Sequence, residues 1–148
     1  MSPEGWVERN WGGPSLFFLA MFFHSWMLSA GFDPARVARF DARRIDRLVG
    51  NPAIVRHRGK IESVVSNARA LLALHRAGST LVALAWSVVD GTPRSPRYRS
   101  MAEVPARTPD SDALARQLTA HGFRFVGPTT CQALMHAAGL TNDHLVTC

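Results

Sequence analysis

The chain has 148 residues, 47% of them hydrophobic, with 17 Lys and Arg against 11 Asp and Glu and a formal net charge of +6. This composition excludes an intrinsically disordered chain and gives enough apolar material for one folded domain with a real core. Two cysteines, Cys131 and Cys148, are too few for a disulfide scaffold and suit a reducing cytoplasmic setting.

The apolar run Ser15–Phe23 is the first predicted element. It is too short to span a bilayer and lacks the basic flank of a signal peptide, so it reads as a buried helix in a chain that neither enters a membrane nor is secreted. Asp33-Pro34 then reads as a helix cap followed by the first helical residue. Asp41 caps a second helix, with Ile45, Leu48 and Val49 inward and Gly50 as its stop. Asn51-Pro52 repeats the start signal. The clearest periodic segment follows, with Ile61, Val64, Val65, Ala68, Leu71, Leu72 and His75 spaced by three and four and ending at Gly78. Ser79 is expected to open the next helix, carrying Leu81, Leu84, Ala85 and Val88 inward to Asp90-Gly91.

Residues 91–107 break the pattern. Pro93, Pro96 and Pro105 forbid a regular helix, while Arg94, Arg97, Arg99 and Arg107 add charge. Thr108-Pro109 starts a helix with Leu114 and Leu118 inward, up to Gly122. A last helix starts at Pro128 with Cys131, Leu134, Met135 and Ala138 inward and stops at Gly139. No stretch alternates with period two for long, and no repeat is visible. The expected fold is all-α, a single helical domain with short connections.

Two features carry candidate function. The charge is almost wholly arginine, since Lys60 is the only lysine. Arginine forks suit phosphate, although a solvated surface explains the same bias. The second feature is the turn "GFRFVG" at Gly122–Gly127, set between two helices. Gly122 can take a left-handed cap, Gly127 permits close approach, Phe125 and Val126 can wedge the helices apart, and the helix at Pro128 begins with unpaired amides that suit an anion. The same turn also fits a plain αα-hairpin that binds nothing.

The ordered motifs "FDPARVA", "NPAIVRHRGKIESVVSNARA", "LVALAWSVVDG", "VPARTPDSDALARQL", "GFRFVGPTT" and "GLTNDHLVTC" resemble the DNA-3-methyladenine glycosylase I family, from about Phe32 to Cys148. The resemblance implies an all-helical member of the helix-hairpin-helix glycosylases. Its hairpin would contact double-stranded DNA through Gly122, Phe123, Arg124, Gly127, Thr129 and Thr130. It also implies a structural zinc held by four ligands, of which His144 and Cys148 match the C-terminal pair. The N-terminal pair is not matched. In "EGWVERNWGGP", Trp6 and Trp11 fit the two ends of that motif, but Glu4 stands at the cysteine position and the histidine segment is missing. Residues 1–31 therefore read as an eroded zinc and pocket segment, and residues 32–148 as the glycosylase-like helical domain.

Such enzymes extrude a damaged base and hydrolyse its glycosidic bond. Their pocket reads the cationic base with aromatic rings and a glutamate. Trp6, Trp11 and Trp26 are the pocket remnants here. The glutamate has no counterpart between Trp11 and Phe32, so no catalytic residue is assigned and impaired activity is expected. A lyase mechanism needs a lysine nucleophile near the hairpin; none is expected there, so a monofunctional, hydrolytic mechanism is the only one the residues permit. The partner implied is alkylated duplex DNA, met by a monomer. Two rivals stand beside this reading: a non-catalytic DNA-backbone-binding remnant, and a natively longer protein whose upstream or inserted residues restore Cys, His and Glu. Among the remaining candidates, Asp143 reads as a helix cap or as a partner of His144. His57, with Arg56, Arg58 and Lys60, reads as a phosphate contact or a solvated face. His24, Trp86 and Cys131 read as core.

Overall fold

The computed structural model describes residues 33–52 and 57–146. Among them lie six α-helices: α1 (Pro34–Val37), α2 (Ala42–Val49), α3 (Arg58–Arg76), α4 (Leu81–Ser87), α5 (Pro109–Ala120) and α6 (Pro128–Ala137), with a 3-10 turn at Met101–Glu103. The all-α expectation holds. The apolar run 15–23, the three tryptophans Trp6, Trp11 and Trp26, and the domain boundary at residue 31 lie outside the described residues.

The 19-residue α3 is the spine. Ile61, Val64, Val65, Ala68 and Leu71 form its buried stripe, and α1 and α2 pack on it. Asp33 and Asp41 cap α1 and α2 as expected, each side chain accepting a backbone N–H. Three expectations need correction. Asn51-Pro52 does not open α3; the cap is His57, whose Nδ1 accepts from the Lys60 N–H at 3.1 Å. His75 faces solvent, and Leu74 completes the stripe instead. Ser79 does not cap α4. Its N–H is spent closing α3 on the Leu74 carbonyl at 3.2 Å, so the cap falls to Thr80, whose hydroxyl accepts from the Ala83 N–H. With α4 starting there, Val82 and Val89 join Leu81 and Ala85 in the core, and Leu84 and Val88 are only half-buried.

Helices α5 and α6 form a packed pair. Leu114, Leu118 and Cys131 are fully buried, with Leu134 and Met135 beside them. The start of α5 is closed by a reciprocal box. Thr108 Oγ1 accepts from the Ser111 N–H, while Ser111 Oγ accepts from the Thr108 N–H. Residues 91–107 are a loop, as expected, but an anchored one. Arg94 forms a parallel bridge with Thr141. The Arg94 N–H donates to the Leu140 carbonyl, the Asn142 N–H to the Arg94 carbonyl and the Val146 N–H to the Tyr98 carbonyl. Among the described residues no helix is long and apolar enough to cross a membrane.

Candidate nucleic-acid interface

The turn between α5 and α6 is built from both ends. At the α5 end, Gly122 has φ +86. Its N–H bonds to the Thr119 carbonyl and the Phe123 N–H to the Leu118 carbonyl, both at 3.0 Å. That closure needs a left-handed residue, and glycine alone takes it without steric cost. Phe123 follows the cap inward and is 4% exposed. Its side chain belongs to the core, which removes the ring from the set of residues offered to a partner. Val126 is likewise buried, and the Cys131 thiol donates to its carbonyl. Arg124 and Phe125 stand outside. The two presumed wedges thus divide: Val126 packs between the helices, and Phe125 projects at φ +58 with 45% of its surface exposed.

Gly127 is the N-cap residue of α6, with φ −64, and no side chain caps the helix. Pro128 has no N–H, so the orphan donors of the first turn belong to Thr129 and Thr130. Thr129 is exposed and Thr130 half-buried. A Cβ built on Gly127 would meet nothing within 4 Å. Neither a positive φ nor internal packing requires glycine there, and the backbone at this N-cap is left unobstructed.

A groove of about 1000 Å³ runs beside the turn, between the flank of α5 and the start of α6, with Arg107, Asp112, Arg116, Arg124, Phe125 and Pro128 on its walls. Arg107 donates to Asp112 Oδ2 at 2.9 Å, while the buried Oδ1, 2.8 Å from the same nitrogen, has no hydrogen bond of its own. This guanidinium holds the Asp112 carboxyl below its ordinary range, and Arg116 adds to the effect. Arg116 and Arg124 form no ion pair among the described residues, so the groove keeps a positive excess.

The turn is held by α3. The side chain of Asn67 grips the Arg124 peptide twice: its Nδ2 donates to the Arg124 carbonyl at 3.0 Å, and its Oδ1 accepts the Arg124 N–H at 2.8 Å. His57 serves as the α3 cap and meets the Phe125 ring. The only lysine, Lys60, is in this same first turn of α3. The only lysine therefore lies in the turn of α3 that braces the hairpin tip, which corrects the expectation that none is near it. Asn67 is not among the residues expected at the site; its signal in the sequence is an amide between Val65 and Ala68 on an apolar stripe.

His144 is exposed, its backbone N–H bonds to Asn142 Oδ1, and Cys148 lies outside the described residues. Among the described residues no three His, Cys, Asp or Glu side chains cluster. Asp143 neither caps a helix nor turns to His144. Its carboxylate pairs with His136 and accepts from Thr141 Oγ1 at 2.9 Å. Gln132 joins this group, lying against His136 Nε2 and Thr108 Oγ1, so a polar chain links the start of α5, the end of α6 and the segment after it.

A family model described as methyladenine glycosylase matches residues 25–148. DNA-3-methyladenine glycosylase 1 of Escherichia coli (strain K12) is 43% identical over 117 residues, and DNA-3-methyladenine glycosylase of Haemophilus influenzae (strain ATCC 51907 / DSM 11121 / KW20 / Rd) is 39% identical over 117. The aligned residues cover 79% of this chain, and the chain spans 63% of the length of these curated relatives. Among solved structures, a 3-methyladenine DNA glycosylase I from Staphylococcus aureus superposes with a TM-score of 0.77 at 32% identity, covering 84% of this chain and 67% of the other.

Proposed function

Because the chain belongs to the methyladenine glycosylase family, we propose that it engages double-stranded DNA carrying alkylated bases and hydrolyses the N-glycosyl bond of 3-methyladenine, as a step of base-excision repair. The α5–turn–α6 unit is then a helix-hairpin-helix. The observation that carries the reading is the bare backbone at Gly127. An unobstructed glycine opens an uncapped helix beside a groove with surplus arginine charge, and a DNA phosphate fits both features. We assign the DNA contact to the backbone of Phe125–Gly127, the Arg124 side chain and the first amides of α6 at Thr129 and Thr130.

The chemistry asks little of the protein. Adenine alkylated at N3 is cationic, so its bond is already labile, and water suffices once the base is out of the stack. Recognition of the cation needs an aromatic face and a carboxylate. We place Trp6, Trp11 and Trp26 in that role. No Asp or Glu occurs between Trp11 and Phe32, and for that reason we expect excision slower than in a family member that has one. Loss of a charge-assisted hydrogen bond to a buried cation costs about 1.5–3 kcal/mol, roughly one to two powers of ten in rate. The missing acid also favours a second reading, a non-catalytic protein that grips DNA backbone. His144 and Cys148 are the donors this chain offers to a zinc ion, half of the four that a closed site needs. We further propose a monomer working in the cytoplasm.

Single-turnover release of free 3-methyladenine from alkylated duplex DNA tests the proposal. Slow but protein-dependent release is expected. Tight DNA binding without release supports the second reading, and absence of both removes the proposal.

A further inference from the structure

We propose that Asn67 is a positioning residue for DNA binding, holding the hairpin through both polar groups of the Arg124 peptide. The inference rests on the reading of that hairpin as the DNA contact and deepens it. Residue 124 lies in the turn, outside both helices, so no intrahelical partner is supplied for its N–H or its carbonyl. Both would need partners this close to the core. One carboxamide provides them, and it comes from a residue 57 positions earlier. An amide is the only kind of side chain that offers a donor and an acceptor side by side in the geometry of a peptide.

The anchor is rigid. Asn67 is 7% exposed and sits inside α3, flanked by core residues Val64, Ala68 and Leu71. The gripped peptide immediately precedes Phe125, which is held at φ +58. A left-handed non-glycine residue persists only where its surroundings fix it. The Asn67 grip fixes it from one side, and the contact of Phe125 with His57 fixes it from the other. Gly127 and the first amides of α6 follow within six residues, so the direction in which those donors point is set by α3. Asn67 is too buried to touch DNA, and its effect passes wholly through the hairpin.

The test compares the parent chain with Asn67→Ala, Asn67→Asp and Gly127→Val, each shown to be folded, in binding to a short unmodified duplex at fixed salt. Asn67→Asp keeps the acceptor for the Arg124 N–H and loses the donor to its carbonyl, so it also serves should the alanine variant fail to fold. The expected result is about tenfold weaker binding for alanine, of the size of one misplaced hydrogen bond to a charged group, and at least as large a loss for aspartate, whose second oxygen would face the Arg124 carbonyl. Hydrogen exchange at the Arg124 amide should quicken in the alanine variant and stay slow in the aspartate variant. A residue that only supports stability would lower the melting temperature and leave the affinity of folded molecules unchanged. Parental affinity in both Asn67 variants, with Gly127→Val weakened, overturns the positioning role alone. Parental affinity in Gly127→Val overturns the reading of the hairpin, and the positioning role falls with it.

Discussion

The rings of His57 and Phe125 meet edge to face, with centroids 6.3 Å apart and planes at 81°. One caps the first turn of α3 and the other is the exposed tip of the α5–α6 turn. The contact ties two segments far apart in sequence, at a residue whose backbone is in the left-handed region. An aromatic pair of this kind contributes about 0.5–1.5 kcal/mol beyond its buried area.

Phe125→Ala and Phe125→Gly both delete the ring, yet they should differ. Alanine retains the left-handed penalty of about 1–2 kcal/mol, which glycine escapes. Urea unfolding is expected to show the glycine variant as the more stable by about 1 kcal/mol, net of the greater chain entropy of glycine. An alanine variant as stable as the glycine variant would mean that position 125 is not held at positive φ.

Gly127→Val should separate stability from binding. The site is open and its φ is an ordinary one, so the stability cost should be only that of a poorer N-cap, about 1 kcal/mol. Duplex affinity should fall about tenfold or more, and by the same factor at every sequence, because phosphate contacts carry no sequence information. Unchanged affinity would make the hairpin a structural corner.

Asp112 is the groove's own carboxylate, and it neutralises Arg107. Asp112→Asn releases that cation towards a bound phosphate. Duplex affinity at low salt should rise, and the slope of log affinity against log salt should steepen by about 0.9 for one additional phosphate neutralised. A fall in affinity would place the groove off the DNA path.

Burial pushes the Cys131 thiol up from 9.0 to about 12. In a Cys148→Ser background, where Cys131 is the sole thiol, the native protein should resist a thiol reagent at pH 8 and react on unfolding. The raised value also has a sign in stability. The folded state holds the proton more tightly than the unfolded state, so this contribution is complete below pH 9 and is lost as pH rises towards 12. Rapid native modification at pH 8 would contradict the burial.

Zinc in the purified protein is expected below one equivalent and removable by a chelator, since a closed structural site needs four placed donors and the family pattern supplies only His144 and Cys148 here. Metal analysis before and after chelation measures this. One chelator-resistant equivalent would show that other residues complete the set.

Where a signal was local, the sequence carried it. Asp33, Asp41 and Thr108 cap their helices because a short oxygen-bearing side chain ahead of an apolar stripe has one good use. The stripe from Ile61 to Leu71 and the glycine closing α5 were visible for the same reason. What escaped was non-local or ambiguous. His57 as a cap was hidden behind the stronger Asn51-Pro52 signal. Thr80 lost to Ser79 because both are good caps, and only the closure of α3 decides between them. The turn was legible as a turn, but not which of its side chains point inward. Phe123 and Val126 are taken by the core and Phe125 is not, a division set by a positive φ that no residue type announces. The grip of Asn67 on Arg124 and the pairing of His136 with Asp143 depend on how the helices meet.

The parallel bridge between Arg94 and Thr141 has a consequence for the order of events during synthesis. The donors and acceptors that fasten residues 94–98 belong to residues 140–146, which leave the ribosome more than forty positions later. Without them the loop is held by the exposed pairs Arg94–Asp110 and Arg107–Asp112 and by the bonds from the Arg99 N–H and the Ser100 hydroxyl to Glu103. A nascent chain stalled before Leu140 should therefore be cut by protease within 91–107, while α3, whose stripe is already complete, resists. Residues 140–146 thus work as a clasp, converting an exposed arginine-rich loop into a fixed surface.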